Sequence, residues 1–277
     1  MKMKTSFLAT SILAASSLTH AGLAPIDDTQ LGDVTGQAGV SIESTIRAEI
    51  GSIVYTDEGS IGINNLVLGG ANKQTYFGTD FGAGSHSGNS LDNSLVKIDV
   101  LDDGDVSING GPAASSGNVV DFALSTGAIE LISSDTLQSS TLISSINVTG
   151  IFTGFSAIID ADTLHTSILV DVAVDDIDID ISSLGMKIEN AFITDSTFFE
   201  ALEGRARGNV GNVPVEDLTA RFIVDLYADD DGLHVELDQA EFDMGIGAIM
   251  IADVSIGSFA LDNVNLGGLS VVISGQP

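Results

Sequence analysis

Apolar and polar residues alternate with a period of two along much of this chain. In the first such run, Val40, Ile42, Ile46 and Ile50 share one parity, and charged or hydroxyl residues take most of the other. This alternation is typical of a strand with one face buried and one face in water, so we expect a half-buried strand over 40–50. The same pattern predicts strands within Val96–Val100, Val170–Ile181, Phe222–Leu226 and Val235–Ala240.

Three segments share the plan of a β-hairpin: apolar alternation, then acidic residues, then glycine, then alternation again. Aspartate and glutamate tolerate the first turn positions, and glycine supplies the positive φ that closes a short turn. We therefore predict three hairpins, and these lie at Val54–Gly59, Val100–Gly104 and Leu226–Gly232.

The fold class that follows is all-β, an elongated antiparallel sheet or sandwich built of successive hairpins. A looser repeat relates Ile63–Gly70 to Leu261–Gly268, with related stretches at Ile188–Phe192 and Ile146–Gly150. The irregular spacing of these copies favours antiparallel hairpins over a short-period β-solenoid.

Helix signals are found in two places. Thr197–Glu200 fits a capping box ahead of Ala201, which predicts about two helical turns. The second is the short stretch 27–34. Residues 70–93, rich in Gly, Ser and Asn, and residues 110–117 are expected to be surface loops.

The N-terminus has the pattern of a secretory signal peptide. Lys2 and Lys4 precede an uncharged, mostly apolar run over 6–18, and small residues follow at Thr19 and Ala21. We expect export through the Sec pathway and cleavage after Ala21, giving a signal over 1–21, an acidic Gly-containing segment over 22–39 and a β domain over 40–277. The expected locations are the periplasm, the outer-membrane surface or the extracellular medium, with no transmembrane segment after cleavage.

Charge narrows the range of partners. The chain has 39 acidic and 9 basic residues and a formal net charge of −30, so its field repels nucleic acid and anionic lipid. Hydrophobic residues make up 44% of the chain, too many for an acidic disordered tail. The absence of cysteine excludes disulfides.

Nothing in the sequence selects a catalytic site, and we expect no enzymatic activity. Outside the signal, histidine occurs only at His86, His165 and His234, and none lies in a nucleophile-elbow motif. An acidic hydrolase would require paired carboxylates in a pocket, and the pattern singles out no pair.

Alternating carboxylates in one strand suggest a cation site. Asp176, Asp178 and Asp180 share one strand face, where like charges repel and a calcium ion would relieve the repulsion. The alternative is a solvated face, because neither an EF-hand loop nor a calcium-binding nonapeptide is present. We expect no cofactor, with these three residues as the calcium candidates.

The segment after the signal, 25–40, contains Leu31, Asp33, Val34, Thr35, Gly36 and Gln37. Through these residues it resembles the N-terminal block of the FilA-like pilus system protein family of Gram-negative bacteria. The resemblance implies a role in a surface fibre or pilus system, with other pilus or surface-assembly proteins as partners and no enzymatic activity. Without it, the segment is equally well read as an N-terminal cap on the sheet.

Two functional hypotheses remain. The first is an exported structural or interaction protein of a pilus-like or adhesive cell-surface system. The alternative is a periplasmic β-sheet module that carries a lipid or another hydrophobic molecule in a groove. The aromatic residues that could line such a groove are Phe152, Phe155, Phe198, Phe199, Phe222 and Phe242.

Overall fold

The computed structural model describes residues 39–80, 89–113, 119–134, 138–202 and 215–274. They belong to one of two units of the chain, Gly39–Pro277. The other unit, Met1–Ala38, lies outside the described residues, and with it the expected signal, the expected helix over 27–34 and the block Leu31–Gln37.

Fifteen antiparallel strands form one sheet, so the predicted all-β antiparallel fold is confirmed. The strands are β1 (Val40–Ile46), β2 (Ala48–Thr56), β3 (Ser60–Gly69), β4 (Leu91–Val100), β5 (Val106–Pro112), β6 (Val120–Thr126), β7 (Ile129–Ile132), β8 (Ser139–Ile143), β9 (Ser145–Ile159), β10 (Thr166–Ile181), β11 (Met186–Asp195), β12 (Ala220–Asp229), β13 (Gly232–Ile251), β14 (Val254–Asn265) and β15 (Leu269–Ile273).

Strand pairing arranges these fifteen strands as a meander of eight long rows, each row antiparallel to the next. We number the rows in chain order: row I is β1 and β2, row II is β3 and β4, row III is β5, β6 and β7, row IV is β8 and β9, row V is β10, row VI is β11 and β12, row VII is β13, and row VIII is β14 and β15.

The long strands β9, β10 and β13 run through two halves of this sheet. The upper half contains β1, β4, β5, β12 and β15, and the lower half contains β2, β3, β6, β7, β8, β11 and β14. We call the boundary between the halves the midline. Within the described ranges, rows I and VIII have a neighbouring row on one side only and are the edges of the sheet.

The three predicted hairpins are confirmed and connect rows I to II, II to III and VI to VII. Their closing pairs are Thr56 with Ser60, Val100 with Val106, and Asp229 with Gly232. Gly104 and Gly232 have φ angles of 96° and 139°, as a glycine-dependent turn requires.

The prediction of a single half-buried strand over 40–50 is wrong in two respects. Row I is interrupted at Arg47, which separates β1 from β2. Its apolar side chains are also exposed: Val40 is 56% exposed, Ile42 45% and Ile50 42%. Alternation correctly predicted a strand, but row I is an edge, and within the described ranges no second layer of strands or helices covers these side chains.

Asparagines in the left-handed region mark irregular points within rows II, VI and VIII. Asn65, Asn190 and Asn263 have φ angles of 49°, 54° and 61°. Asparagine accepts this conformation more readily than most residues because its short side chain bonds locally. Two of them are also anchored from the neighbouring row, because the N–H of Asn190 donates to Asp178 and that of Asn263 donates to Asp243.

One face of the sheet is covered at the midline by a cap. The cap is formed by the described parts of two insertions: residues 70–80, between β3 and β4, and residues 196–202 and 215–219, between β11 and β12. The second insertion contains helix α1 (Phe198–Leu202), which confirms the predicted helix. The Thr197 hydroxyl donates to Asp195 at 2.7 Å, and its carbonyl accepts the Ala201 N–H.

The core lies between the cap and the sheet. Tyr76, Phe77, Phe198 and Leu218 of the cap are at most 2% exposed and pack against the sheet. The expected surface loop over 70–93 is therefore wrong for Tyr76 and Phe77. The expected loop over 110–117 begins inside a strand, since β5 extends to Pro112. The sheet residues of this core are Ile151, Ala173 and Phe192, joined by Val119 directly before β6.

Three buried carboxylates attach the cap to alternate rows of the sheet. Asp121 on row III accepts the N–H of Ala71 at 2.8 Å, and Asp175 on row V accepts the N–H of Phe77 at 2.9 Å. Asp243 on row VII accepts the N–H of Phe199, also at 2.9 Å.

Buried acceptors of this kind satisfy backbone donors that strand pairing does not reach. Asp175 is further paired with Lys73, and Asp121 accepts a hydrogen bond from the Tyr76 hydroxyl. The burial of Tyr76, and secondarily the Asp121 charge, raises the pKa of that hydroxyl.

Candidate interaction surface

The face of the sheet opposite the cap is apolar from row to row. In the upper half one level contains, in adjacent rows, Val40, Ile98, Ile108, Ala157, Ile168, Val224, Leu237 and Leu269. Residues paired across antiparallel strands lie on the same face, so this level is a continuous apolar ladder from row I to row VIII.

The lower half has an equivalent ladder. One level contains Ala48, Leu68, Leu124, Val148, Ile177, Ala191, Ile246 and Phe259. We call the two ladders, with the paired apolar levels beside them, the apolar face.

The apolar face reaches the two edges and is exposed there. On row VIII, Val254 is 65% exposed, Phe259 50% and Val271 46%. Row I shows the same property at Val40, Ile42 and Ile50. A contiguous exposed apolar surface on a folded protein marks an interaction site.

The six phenylalanines proposed to line one groove are divided by the structure between the two faces. Phe155 and Phe222 are both paired with Val170 on the apolar face, and Phe222 lies 5.9 Å from Phe242 between ring centroids. Phe152 also lies on this face, opposite Val172. Phe198 and Phe199 belong to the cap and contact Phe192, so they cannot line the same groove.

Glycines on the sheet make room for these aromatic rings. Gly110 lies opposite Phe155, and a Cβ at Gly110 would overlap the ring. Gly150 is related to Phe122 in the same way, with a Cβ placed 2.8 Å from the ring edge. These glycines allow a phenylalanine to lie flat across the neighbouring row, which keeps the apolar face continuous.

The opposite face is mostly polar outside the cap, with Ile158, which is 45% exposed, as an apolar exception. At the upper end, Tyr227 stacks on His234 with ring centroids 4.4 Å apart and meets the edge of His165 at 5.4 Å. His234 bonds to Asp229 at 2.9 Å, and this contact lowers the pKa of the Asp229 carboxyl. These two histidines therefore lie in a cluster of aromatic and acidic side chains on an open face of the sheet.

One carboxylate pair, which the sequence did not single out, also lies on the polar face. A hydrogen bond with Asp225 raises the pKa of Asp238, because the protonated Asp238 carboxyl donates to the Asp225 carboxylate. His165 lies 3.8 Å from Asp225. Asp238 is the extra residue of a bulge between rows VI and VII, and this irregularity, which alternation alone does not reveal, brings the pair together.

A cavity of about 360 Å³ lies beside the cap on the polar face. Arg221 crosses it and donates two hydrogen bonds to Asp171, at 2.8 and 3.0 Å. Its lining is mostly polar and includes Thr153, Asp195, Thr219 and Gln239.

The calcium candidates lie on the polar side of row V. Asp178 accepts the N–H of Asn190 at 2.9 Å, and Asp180 is paired across the sheet with Lys187. Within the described ranges, no group of three or more His, Asp or Glu side chains is arranged to hold a metal ion.

The described part of the chain has no helix that is both long and apolar enough to cross a membrane. A family model, described as a family of unknown function (DUF6160), matches residues 1–102, a range that extends through rows I and II. No curated protein and no solved structure matches the chain.

Proposed function

We propose that this chain is an exported, non-enzymatic structural or interaction protein of the bacterial cell surface. The observation that carries the proposal is the apolar face, which continues across all eight rows and is exposed at both edges of the sheet. When another macromolecule covers such a surface, apolar area is removed from water, and this removal favours binding.

The arrangement of charge supports a macromolecular role over catalysis. The chain has a net charge of −30, yet its last two strands, β14 and β15, contain only one charged residue, Asp262. Acidic side chains keep the rest of the surface soluble and separate. Electrostatic repulsion of an acidic partner is therefore weakest at this nearly uncharged apolar edge.

The resemblance of 25–40 to the FilA-like family extends this proposal to a pilus-like or adhesive system. In that setting the chain would leave the cytoplasm by its signal peptide, and its partners would be other surface-assembly proteins. The block Leu31–Gln37 would be a candidate assembly motif.

Carriage of a lipid or another hydrophobic molecule is the second candidate. Phe152, Phe155, Phe222 and Phe242 lie together near the middle of the apolar face, where an acyl chain would be covered by aromatic rings. This function requires a ligand of matching length to occupy the face in the purified protein.

Localisation in the producing bacterium tests the proposal. A tagged chain should be labelled and cleaved by protease on intact cells, and a deletion strain should lose surface fibres or attachment. Complementation by the wild-type chain should restore both properties. Complementation by the Leu164→Lys variant should restore both properties as well, because this turn residue is 71% exposed and lies off the apolar face.

The contrary result is a chain shielded from protease in intact cells, with fibres and attachment unchanged on deletion. Organic extraction and mass spectrometry of the purified protein then separate the two candidates. A stoichiometric lipid would move hydrophobic-ligand carriage to first place.

A further inference from the structure

We propose that the partner of this apolar, edge-exposed sheet is a second copy of the same chain, with row VIII of one copy pairing with row I of the next. The inference rests on the proposed structural function and names its partner. Because the two edges differ, the contact is heterologous, and its repetition produces an open filament rather than a closed dimer.

The number of rows makes this pairing antiparallel throughout. Each of the eight rows is antiparallel to its neighbour, so row VIII runs opposite to row I. A copy placed beside another in the same orientation therefore brings β15 against β1 and β14 against β2, both antiparallel. All other pairs in this sheet have the same geometry, which supports addition of one more row.

The apolar face continues across such a junction. In the upper ladder, Val40 on row I lies at the level of Leu269 on row VIII, and in the lower ladder Ala48 lies at the level of Phe259. Copies that meet level by level join Leu269 to Val40 and Phe259 to Ala48. Each ladder then runs uninterrupted from copy to copy, and the apolar side chains at the two edges contact one another across the junction.

On the other face of the junction, the charged residue of row VIII comes near the basic residue of row I. Arg47 and Asp262 lie on the polar face, since their neighbours Ala48 and Leu261 lie on the apolar face. With Ala48 level with Phe259, Arg47 of one copy is diagonal to Asp262 of the next, within reach of a long side chain. Asp262 is the sole charged residue of β14 and β15, whereas row I contains Glu43, Arg47 and Glu49, and Arg47 pairs with Glu49 at 2.6 Å within its own copy.

Row VIII lacks the usual protection against pairing, and row I contains neither lysine nor proline. Natural edge strands are commonly short, or contain lysine, proline or inward-pointing charges. β14 is 12 residues long, and neither β14 nor β15 contains lysine or proline. Among the residues that the structure describes, rows I and VIII therefore offer backbone groups without a neighbouring strand, beside apolar side chains.

Edge-blocking variants of the full chain test the inference. In the first variant, Ile42→Lys and Ile50→Lys place two cations on row I, and in the second, Phe259→Lys and Val271→Lys place them on row VIII. The control has the same charge change at turn residues, Leu164→Lys and Leu184→Lys, which are 71% and 68% exposed. Sedimentation velocity and negative-stain microscopy then measure assembly over a range of protein and salt concentrations.

We expect the wild-type chain and the control to form filaments that lengthen as salt screens the net negative charge. Each edge variant alone should remain monomeric. An equimolar mixture of the two should form dimers and stop there, since one variant retains a free row VIII and the other a free row I. Circular dichroism confirms folding, and serine replaces lysine at any position where the spectrum is lost.

Three results would overturn the inference: a wild-type chain that stays monomeric under all conditions, a row I variant that dimerises by itself through two copies of row VIII, or a control that fails to assemble. Surface fibres that require the gene, together with a purified chain that stays monomeric, would reject self-pairing alone. The proposed surface function would then stand with a different partner on these edges.

Discussion

The backbone N–H of Asn263 donates a 2.8 Å hydrogen bond to Oδ1 of Asp243, and Oδ2 of the same carboxylate accepts the N–H of Phe199. One fully buried side chain therefore joins row VII to row VIII and to the cap helix α1. The cap and the C-terminal edge of the sheet share this anchor, so a change at Asp243 reaches both.

Asp243→Asn is expected to destabilise the fold by about 1–3 kcal/mol, because an amide keeps one acceptor oxygen and turns its NH₂ group toward the second backbone N–H. Urea unfolding followed by circular dichroism measures the free energy of unfolding. Asp57→Asn, in the exposed turn between β2 and β3, is the matched control, and its effect should be within about 0.5 kcal/mol. An unchanged stability of Asp243→Asn would reject the anchoring role.

The same carboxylate makes stability depend on pH. Burial raises the pKa of Asp243 above its ordinary value of 3.8, so the folded state binds this proton more tightly than the unfolded state. The contribution to stability is therefore fully present below 3.8 and is lost as the pH rises through the raised pKa.

The difference in unfolding free energy between the wild type and Asp243→Asn should accordingly grow as the pH falls toward 3.8. Taking a difference removes the common effect of the other carboxyls. A difference that is flat, or that shrinks on acidification, would contradict the raised pKa.

Phe198 is the centre of the aromatic cluster beneath the cap. Its ring lies 5.7 Å from Phe77 and 5.8 Å from Phe192 between centroids, and its side chain is fully buried. Phe198→Ala should cost about 3–5 kcal/mol by lost transfer free energy and cavity formation. Leu164→Ala, at an exposed turn, is the control, and thermal unfolding of both variants separates a core role from a general effect of truncation.

Gly110 is expected to be intolerant of any side chain. A Cβ there overlaps the Phe155 ring, so Gly110→Ala forces the ring off its position and should destabilise the sheet by about 1–3 kcal/mol. Gly51→Ala is the matched control, because a Cβ at Gly51 meets no atom within 4 Å. Equal stability of the two variants would show that Phe155 is free to move aside.

Local pattern predicted much of this fold. Hairpin chemistry located three of the turns, since acidic residues and glycine act within a few residues of one another. The capping pattern at Thr197 located α1 for the same reason. Alternation also found the strands of rows V, VI and VII, although it could not show that Val40, Ile42 and Ile50 lie at an uncovered edge.

What the pattern could not show depends on contacts distant in the sequence. Asp121, Asp175 and Asp243 are buried only because two insertions fold over them. The sequence contains a faint signal for Asp121 and Asp243, because each of them stands between two apolar residues. The division of the six phenylalanines between two faces likewise follows from strand pairing and bulges, which spacing alone does not determine.

The order of the rows also determines the order in which the chain can fold. Every row pairs with the row that precedes it in the sequence, so each new row can add to an edge that is already formed. Pairs near a connecting hairpin are close in sequence, whereas pairs at the far ends of the rows, such as Val40 with Ile98, are distant. The cap differs, because the backbone N–H groups of Ala71 and Phe77 have their acceptors only after rows III and V have formed. The N–H of Phe199 has its acceptor, Asp243, only after row VII has formed. A chain that emerges from its N-terminus therefore builds the sheet row by row and completes its buried core only when row VII arrives, with row VIII the last to add.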